Sequence, residues 1–267
     1  MTKKHLLKDM TWVEFEQRRG EDPVVLIPLG SVEEQGTMAP MGDYMLTEKV
    51  AEQVARKSDA IAAPTTPFGY AEYFRCMAGG VQLRAETFCL LLEDICENFI
   101  NHGMHRLVIL NGHGGNMPLI EQTTYKLKQK HGIWVPCISL WRSISAEKWA
   151  ELHPEIGARA FAHGGDPMTS MYLHFFPELT RMDLCEPAQR ADVLGLPTKG
   201  LNAVRFQGAD IHVPLEVTDI SDNGIIGGDA SKSSAEIGEK IVDHVVNLAA
   251  DFVRYFKDVN PKVNEED

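Results

Sequence analysis

Hydrophobic and polar positions along the chain fall into two alternating kinds of stretch. Short, continuous apolar runs occur at 24–29 (VVLIPL), 60–68 (AIAAPTTPF), 106–111 (RLVILN) and 133–141 (IWVPCISLW). Runs of this length and continuity are typical of strands buried on both faces of a parallel sheet. Between them lie segments with apolar residues at helical spacing and a polar back: 46–58, 84–103, 117–132, 166–179 and 232–258. Strand-helix alternation predicts a parallel sheet flanked by helices, an α/β fold read as one domain over 1–258. Residues 185–230, rich in Gly, Pro and Asp, read as loops around a site or a subunit contact, and 259–267 as a frayed acidic tail. Asp229 reads as the N-cap of the last helix.

Two of the strands end abruptly. VVLIPL runs into Gly30-Ser31-Val32-Glu33-Glu34-Gln35-Gly36 and on to Met41-Gly42-Asp43, and RLVIL runs into Asn111-Gly112-His113-Gly114-Gly115-Asn116. Ligands of open parallel sheets bind outside the carboxyl ends of strands, so both loops belong to one edge. Carboxylates crowded into a partly buried loop repel one another unless a cation is present. Glu33 and Asp43 with the imidazole of His113 make a three-ligand set with open positions, the form of a hydrolytic metal site. Two blander readings compete: solvated loop carboxylates with a packed histidine, and a phosphate-binding glycine turn before a helix. The turn lacks the Lys and Ser/Thr of a P-loop and the spacing of a dinucleotide fingerprint.

Composition narrows the class further. The chain has 267 residues, 44% hydrophobic and 24% charged, with a formal net charge of −12. That charge repels nucleic acid and anionic membranes. No apolar run reaches the roughly 20 residues that span a bilayer. The N-terminus has no uninterrupted apolar core after its basic residues, so no signal peptide is expected. Five scattered cysteines with no C-x-x-C pair read as reduced core thiols, which points to a cytoplasmic protein. His102, His105 and His131 stand near helix ends and read as surface residues. Trp141, Tyr70, Tyr73 and Phe74 either line the pocket or pack in the core.

The order PLGSVEEQG, MGD, LNGHGGN, AHGGD and GIIGGDASKSSAEIGEKI, with TPFGYAEYF and GGVQLRAET between, resembles the creatininase (creatinine amidohydrolase) family over nearly the whole chain. The resemblance implies a single-domain three-layer sandwich with a mostly parallel sheet, commonly assembled as a homo-hexamer. It also implies hydrolysis of amide C–N bonds with a divalent metal, usually Zn²⁺, Mn²⁺ or Fe²⁺. It places the metal ligands at Glu33 (or Glu34), Asp43 and His113, and an acid/base or substrate-binding histidine at His163. Asp166 is what survives of the acidic residues usual after His-Gly-Gly and is expected to add an oxygen ligand.

Departures from the family pattern cluster. Where the family reads Glu-Gln-His-Gly, this chain reads Glu33-Glu34-Gln35-Gly36, so an imidazole of the second metal position is missing. Met38 replaces a second histidine, Gly115 stands where creatininase has a glutamate, and Met168 stands where a glutamate is common. One strongly held ion per subunit is therefore expected. The leading reading is a metal-dependent amidohydrolase acting on a small cyclic amide, lactam or related amide, with Glu34 or His163 handling the proton. The alternative is a protein that keeps the fold, has lost the catalysis, and binds a small molecule or acts as a scaffold.

Overall fold

The computed structural model describes residues 3–263. Four parallel strands form the sheet: β1 (Val25–Leu29), β2 (Ile61–Ala62), β3 (Leu107–Asn111) and β4 (Cys137–Ser139), in the order β2-β1-β3-β4. Alternate residues feed two different cores. Leu26, Val108 and Leu110 point into a cluster with α2 (Tyr44–Ser58), α6 (Met168–Phe175) and α7 (Ala235–Lys257). Val25, Ile27, Leu29, Leu107 and Ile109 point into a second cluster with α3 (Ala85–Asn101) and α4 (Met117–His131). A strand sandwiched between two helical layers has no polar face to show, which explains the unbroken apolar runs. The expected three-layer α/β sandwich is the observed fold.

The strands are shorter than their apolar runs. Pro28 accepts from Thr66 N (3.0 Å) on the β2 side but has no N–H to give, and Pro64 and Pro67 follow β2 on the neighbouring segment. Regular pairing therefore stops at Ala62 and resumes only as a bridge between Leu29 and Thr66. Pro136 likewise delays β4 to Cys137.

Other boundaries also differ from the reading above. Ser234, whose side chain accepts from Ile237 N, is the N-cap of α7, and Asp229 instead caps the short turn Ala230–Lys232. Two helices escaped the sequence reading: α1 (Trp12–Arg19), opened by a Thr11/Glu14 capping box, and α5 (Ala146–Leu152). The region 185–230 is not all loop, since β5 (Thr198–Lys199), β6 (Ala203–Phe206) and β7 (Ala209–His212) make a small antiparallel sheet. The tail is tied down as far as Val263. Trp134 N donates to Pro261 O (2.7 Å) and Val263 N to Gly132 O (2.7 Å), and the rest of the expected frayed stretch, 264–267, lies outside the described residues. All five cysteines are free, but only Cys96 is buried and Cys76 is exposed.

What positions the site is the register of β1 on β3. Leu29 pairs with Asn111, so both strands end level and release their glycine loops side by side. Gly112 N then donates to Leu29 O at 2.8 Å. A Cβ on Gly30 would lie 2.5 Å from the Tyr44 backbone, and one on Gly112 only 1.8 Å from Thr47 Oγ1. Glycine at these two positions lets the start of α2 press against both strand ends.

Candidate metal centre

Glu33, Asp43 and His113 converge. One ligand atom from each lies within 4.8 Å of the others, and the residues are 2%, 3% and 4% exposed. His113 Nδ1 is 3.1 Å from Glu33 Oε1 and 3.2 Å from Asp43 Oδ2. On the far side of the ring, Nε2 is 3.1 Å from the Tyr70 carbonyl oxygen. An N–H donated there leaves Nδ1 facing the carboxylates, so that it can bind a metal once its own proton is displaced.

The loops that carry these side chains are braced by neighbours. Asp43 Oδ1 accepts from Ser31 N (2.8 Å) and Oδ2 from Ser31 Oγ (3.1 Å). Asn111 Nδ2 donates to the His113 carbonyl (2.7 Å), and the Trp141 indole N–H donates to the Gly112 carbonyl. Asn116 joins three loops: its Nδ2 donates to Gly30 O (3.2 Å) and Asn111 Oδ1 (3.3 Å), and its Oδ1 accepts from Tyr70 N (2.8 Å). Ser31, Asn111 and Asn116 went unnoticed as site residues in the sequence. The two asparagines flanking the glycine turn were the available signal.

The donor set fits a divalent cation. Burial pushes the Asp43 carboxyl up to about 6, against the pull of His113. Burial also opposes charge on His113, but the Glu33 and Asp43 carboxylates outweigh it and push the imidazole up to about 10. A buried proton thus sits where two carboxylates and a nitrogen face one another, the place a metal would take by displacing it. Glu33 Oε2 is buried with no hydrogen-bond partner among the described residues, a free acceptor at the same spot. Two carboxylates and one imidazole suit Zn²⁺, Mn²⁺ or Fe²⁺.

The other expected residues divide. Glu34 Oε1 is 2.8 Å from His163 Nε2, and its Oε2 accepts from Gly36 N at 2.7 Å. Burial works against a protonated His163, but the Glu34 charge outweighs it and raises the imidazole above its ordinary value, with a further contribution from Glu33. His163 stacks on Phe74 with ring centroids 4.2 Å apart. Glu34 therefore partners His163, leaving Glu33 as the first-loop member of the three-residue cluster. Asp166 stands apart from that cluster. Its oxygens are taken by His153 Nε2 (2.7 Å), Ser170 N (3.0 Å), Ser170 Oγ (2.7 Å) and Ser233 Oγ (2.7 Å). The second-metal positions hold other things: Gln35 Nε2 donates to Glu33 Oε1 (3.1 Å), and Met38 packs with Ile225 and Ala230. Of the ambiguous aromatics, Trp141 and Phe74 are both buried and both support the site, Trp141 under the His113 loop and Phe74 against His163. His102 is exposed, and His131 pairs with Glu97 on α3 (2.8 Å).

Comparison with known proteins agrees with this architecture. The family described as creatininase, creatinine amidohydrolase, matches residues 8–253. The chain is 28% identical over 265 residues to 3-dehydro-scyllo-inosose hydrolase of Thermotoga maritima, covering 92% of this chain and 83% of that one. It is 29% identical over 198 residues to creatinine amidohydrolase of Pseudomonas putida, covering 68% and 76%. It is 27% identical over 241 residues to mycofactocin precursor peptide peptidase of Mycolicibacterium smegmatis, covering 87% and 85%. Among solved structures, a manganese creatininase superposes with a TM-score of 0.78 at 26% identity, over 96% of this chain and 100% of that one. A mutant creatininase of Zn-Zn type gives 0.78 at 25% identity, over 96% and 100%. Family match, fold and the buried carboxylate-imidazole cluster agree: the chain belongs to the creatininase (creatinine amidohydrolase) family.

Proposed function

We propose that the protein is a metal-dependent amidohydrolase that cleaves the C–N bond of a small amide, cyclic or lactam-like, using one strongly held divalent ion. The observation that carries this reading is the buried convergence of Glu33, Asp43 and His113. Bound there, a divalent ion supplies Lewis acidity toward a carbonyl oxygen and makes a water more acidic.

The chain's own groups handle the proton. Glu34 Oε1 and His163 Nε2, 2.8 Å apart, share one in a nearly dry setting. In this reading water oxygen bonds to the carbonyl carbon, and Glu34 accepts the proton that water gives up. His163 donates a proton to the departing nitrogen as the C–N bond breaks, and transfer from Glu34 to His163 restores the pair. The Phe74 ring fixes the imidazole and excludes water from one face. Asp166, with its oxygens already satisfied, is left out of the ligand set. We also propose a homo-oligomer, a hexamer, which light scattering at micromolar concentration checks; a monomer there refutes that assembly.

The decisive experiment is elemental analysis of protein purified without added metal. It is paired with a hydrolysis panel of creatinine, small lactams, linear amides and short peptides. About one divalent ion per chain and turnover of one amide class are expected. Bound metal without turnover of any class favours the non-catalytic binding or scaffold alternative.

A further inference from the structure

Residue 115 has no room for a side chain. A Cβ built on Gly115 would lie 2.4 Å from the Tyr70 carbonyl oxygen, 2.4 Å from the Tyr73 hydroxyl and 2.6 Å from His113 Nε2. The Tyr73 hydroxyl thus occupies the space into which a residue-115 side chain would project, next to the histidine of the candidate metal set.

That hydroxyl is not committed to another protein group. The Tyr73 main-chain carbonyl takes the Cys76 thiol (3.8 Å), but the phenol has no hydrogen-bond partner among the described residues. Its ring lies 6.4 Å from that of His113 and packs edge-on against Phe74 at 4.8 Å, and Phe74 in turn stacks on His163. The dipeptide Tyr73-Phe74 therefore adjoins both halves of the site, the carboxylate-imidazole cluster and the Glu34–His163 pair. A half-buried hydroxyl that no protein group accepts from is free to donate to a ligand entering beside His113.

We propose that the Tyr73 hydroxyl donates a hydrogen bond to the carbonyl oxygen of the bound amide as that oxygen gains negative charge, making Tyr73 a catalytic residue. The proposal rests on the amidohydrolase reading above and adds to it the group that replaces electrostatic help from a second ion. No bond forms or breaks at Tyr73, and its proton stays on the phenol. Burial first, then the Glu33 and Asp43 charges, hold the phenol well above its ordinary pKa, so it remains a donor at neutral pH.

Tyr73→Phe removes one oxygen and keeps the ring. The zinc-loaded protein and this variant are titrated calorimetrically with methylphosphonate, a tetrahedral anion standing in for the charged intermediate. Zinc content and steady-state kinetics, on whichever amide of the panel is turned over, are measured alongside. The variant should bind methylphosphonate about tenfold more weakly or worse. Its kcat should fall about a hundredfold with KM little changed, the signature of a donor used in the transition state. Zinc content should equal that of wild type. Unchanged methylphosphonate affinity with zinc retained overturns the assignment of Tyr73 and leaves the metal reading intact. Loss of zinc in the variant also overturns it, since Tyr73 would then act by positioning His113. Wild-type protein that retains no zinc overturns this proposal and the amidohydrolase reading together.

Discussion

Among the described residues two aspartate-histidine pairs are buried, and they are built to opposite ends. Asp166 meets His153 at 2.7 Å and also receives two serine hydroxyls and a backbone N–H, so each of its oxygens has two donors. Asp43 meets His113 at 3.2 Å, but Glu33 faces the same nitrogen, and Glu33 Oε2 has no donor among the described residues. The first arrangement is complete in itself and pins the 162–167 loop to the starts of α6 and α7. The second has more acceptors than donors and would be completed by a cation. A buried carboxylate is a candidate ligand where donors run short, and burial or a neighbouring histidine alone does not make it one.

The largest effect expected from breaking this contrast is at His113. In His113→Ala, metal content should fall from about one ion per chain to background, and hydrolysis should drop by about a thousandfold or more. The variant should still fold, because the loop is also held by Asn111, Asn116 and Trp141, but near pH 7 it should melt below metal-free wild type, since Glu33 and Asp43 lose their protonated partner. Elemental analysis and a thermal melt check this; unchanged metal content refutes the site.

Asp166→Ala should do the reverse. Four donors lose their acceptor, which should cost about 3 kcal/mol or more. The melting temperature should then fall by roughly 6–12 °C, given about 2–4 °C per kcal/mol for a chain of this size. Metal bound per folded chain should be unchanged. Metal loss without destabilisation would show that Asp166 is a ligand after all.

A smaller, pH-dependent difference should separate the metal-free from the loaded protein. His113 and Asp43 both have raised values in the metal-free fold, so the folded state binds more protons than the unfolded one. Stability of the metal-free protein should therefore be greatest at low pH from these two groups. The Asp43 share is lost as pH rises toward about 6, and the His113 share as it rises from about 6.5 toward 10. Metal binding near neutrality should release about one proton, and affinity should grow with pH until His113 is neutral. Melts of both forms at pH 6.5 and 9.5 should show the metal-free form losing more; equal losses refute the protonated His113.

The mildest change is Gln35→His, which exchanges a donor to Glu33 for a nitrogen ligand. Zinc content should rise above one per chain without loss of the first ion, because imidazole suits zinc far better than a carboxamide. A fixed stoichiometry would mean that Met38 and the filled space above Gly115 already close the second position.

Much of this was legible in the sequence because it is local. An apolar run ending in glycine and carboxylate marks a strand delivering polar groups to an edge, and that pattern picked out Glu33, Asp43 and His113 before any partner was known. The surroundings of Asp166 could not be read because they are not local: Ser233, 67 positions away, supplies one of its donors. The choice between Glu33 and Glu34 was open for the same reason, since only the arrival of His163, 129 positions on, claims Glu34. The small sheet of β5, β6 and β7 went unread because its strands are two to four residues long, and β7 is exposed throughout, too brief and too polar for an alternating pattern.

The level ending of β1 and β3 also bears on how the protein ages. Asn111-Gly112 is the dipeptide most prone to deamidation, in which the glycine nitrogen attacks the asparagine side-chain carbonyl and closes a five-membered imide. Here that nitrogen is committed to Leu29 O, and the Asn111 amide is held by the His113 carbonyl. Neither reactant is free to turn toward the other while β1 and β3 stay paired. The same strand pairing that aligns the catalytic edge therefore acts as a chemical preservative. Conversion of Asn111 to aspartate or isoaspartate would record how long a molecule has spent with that edge open.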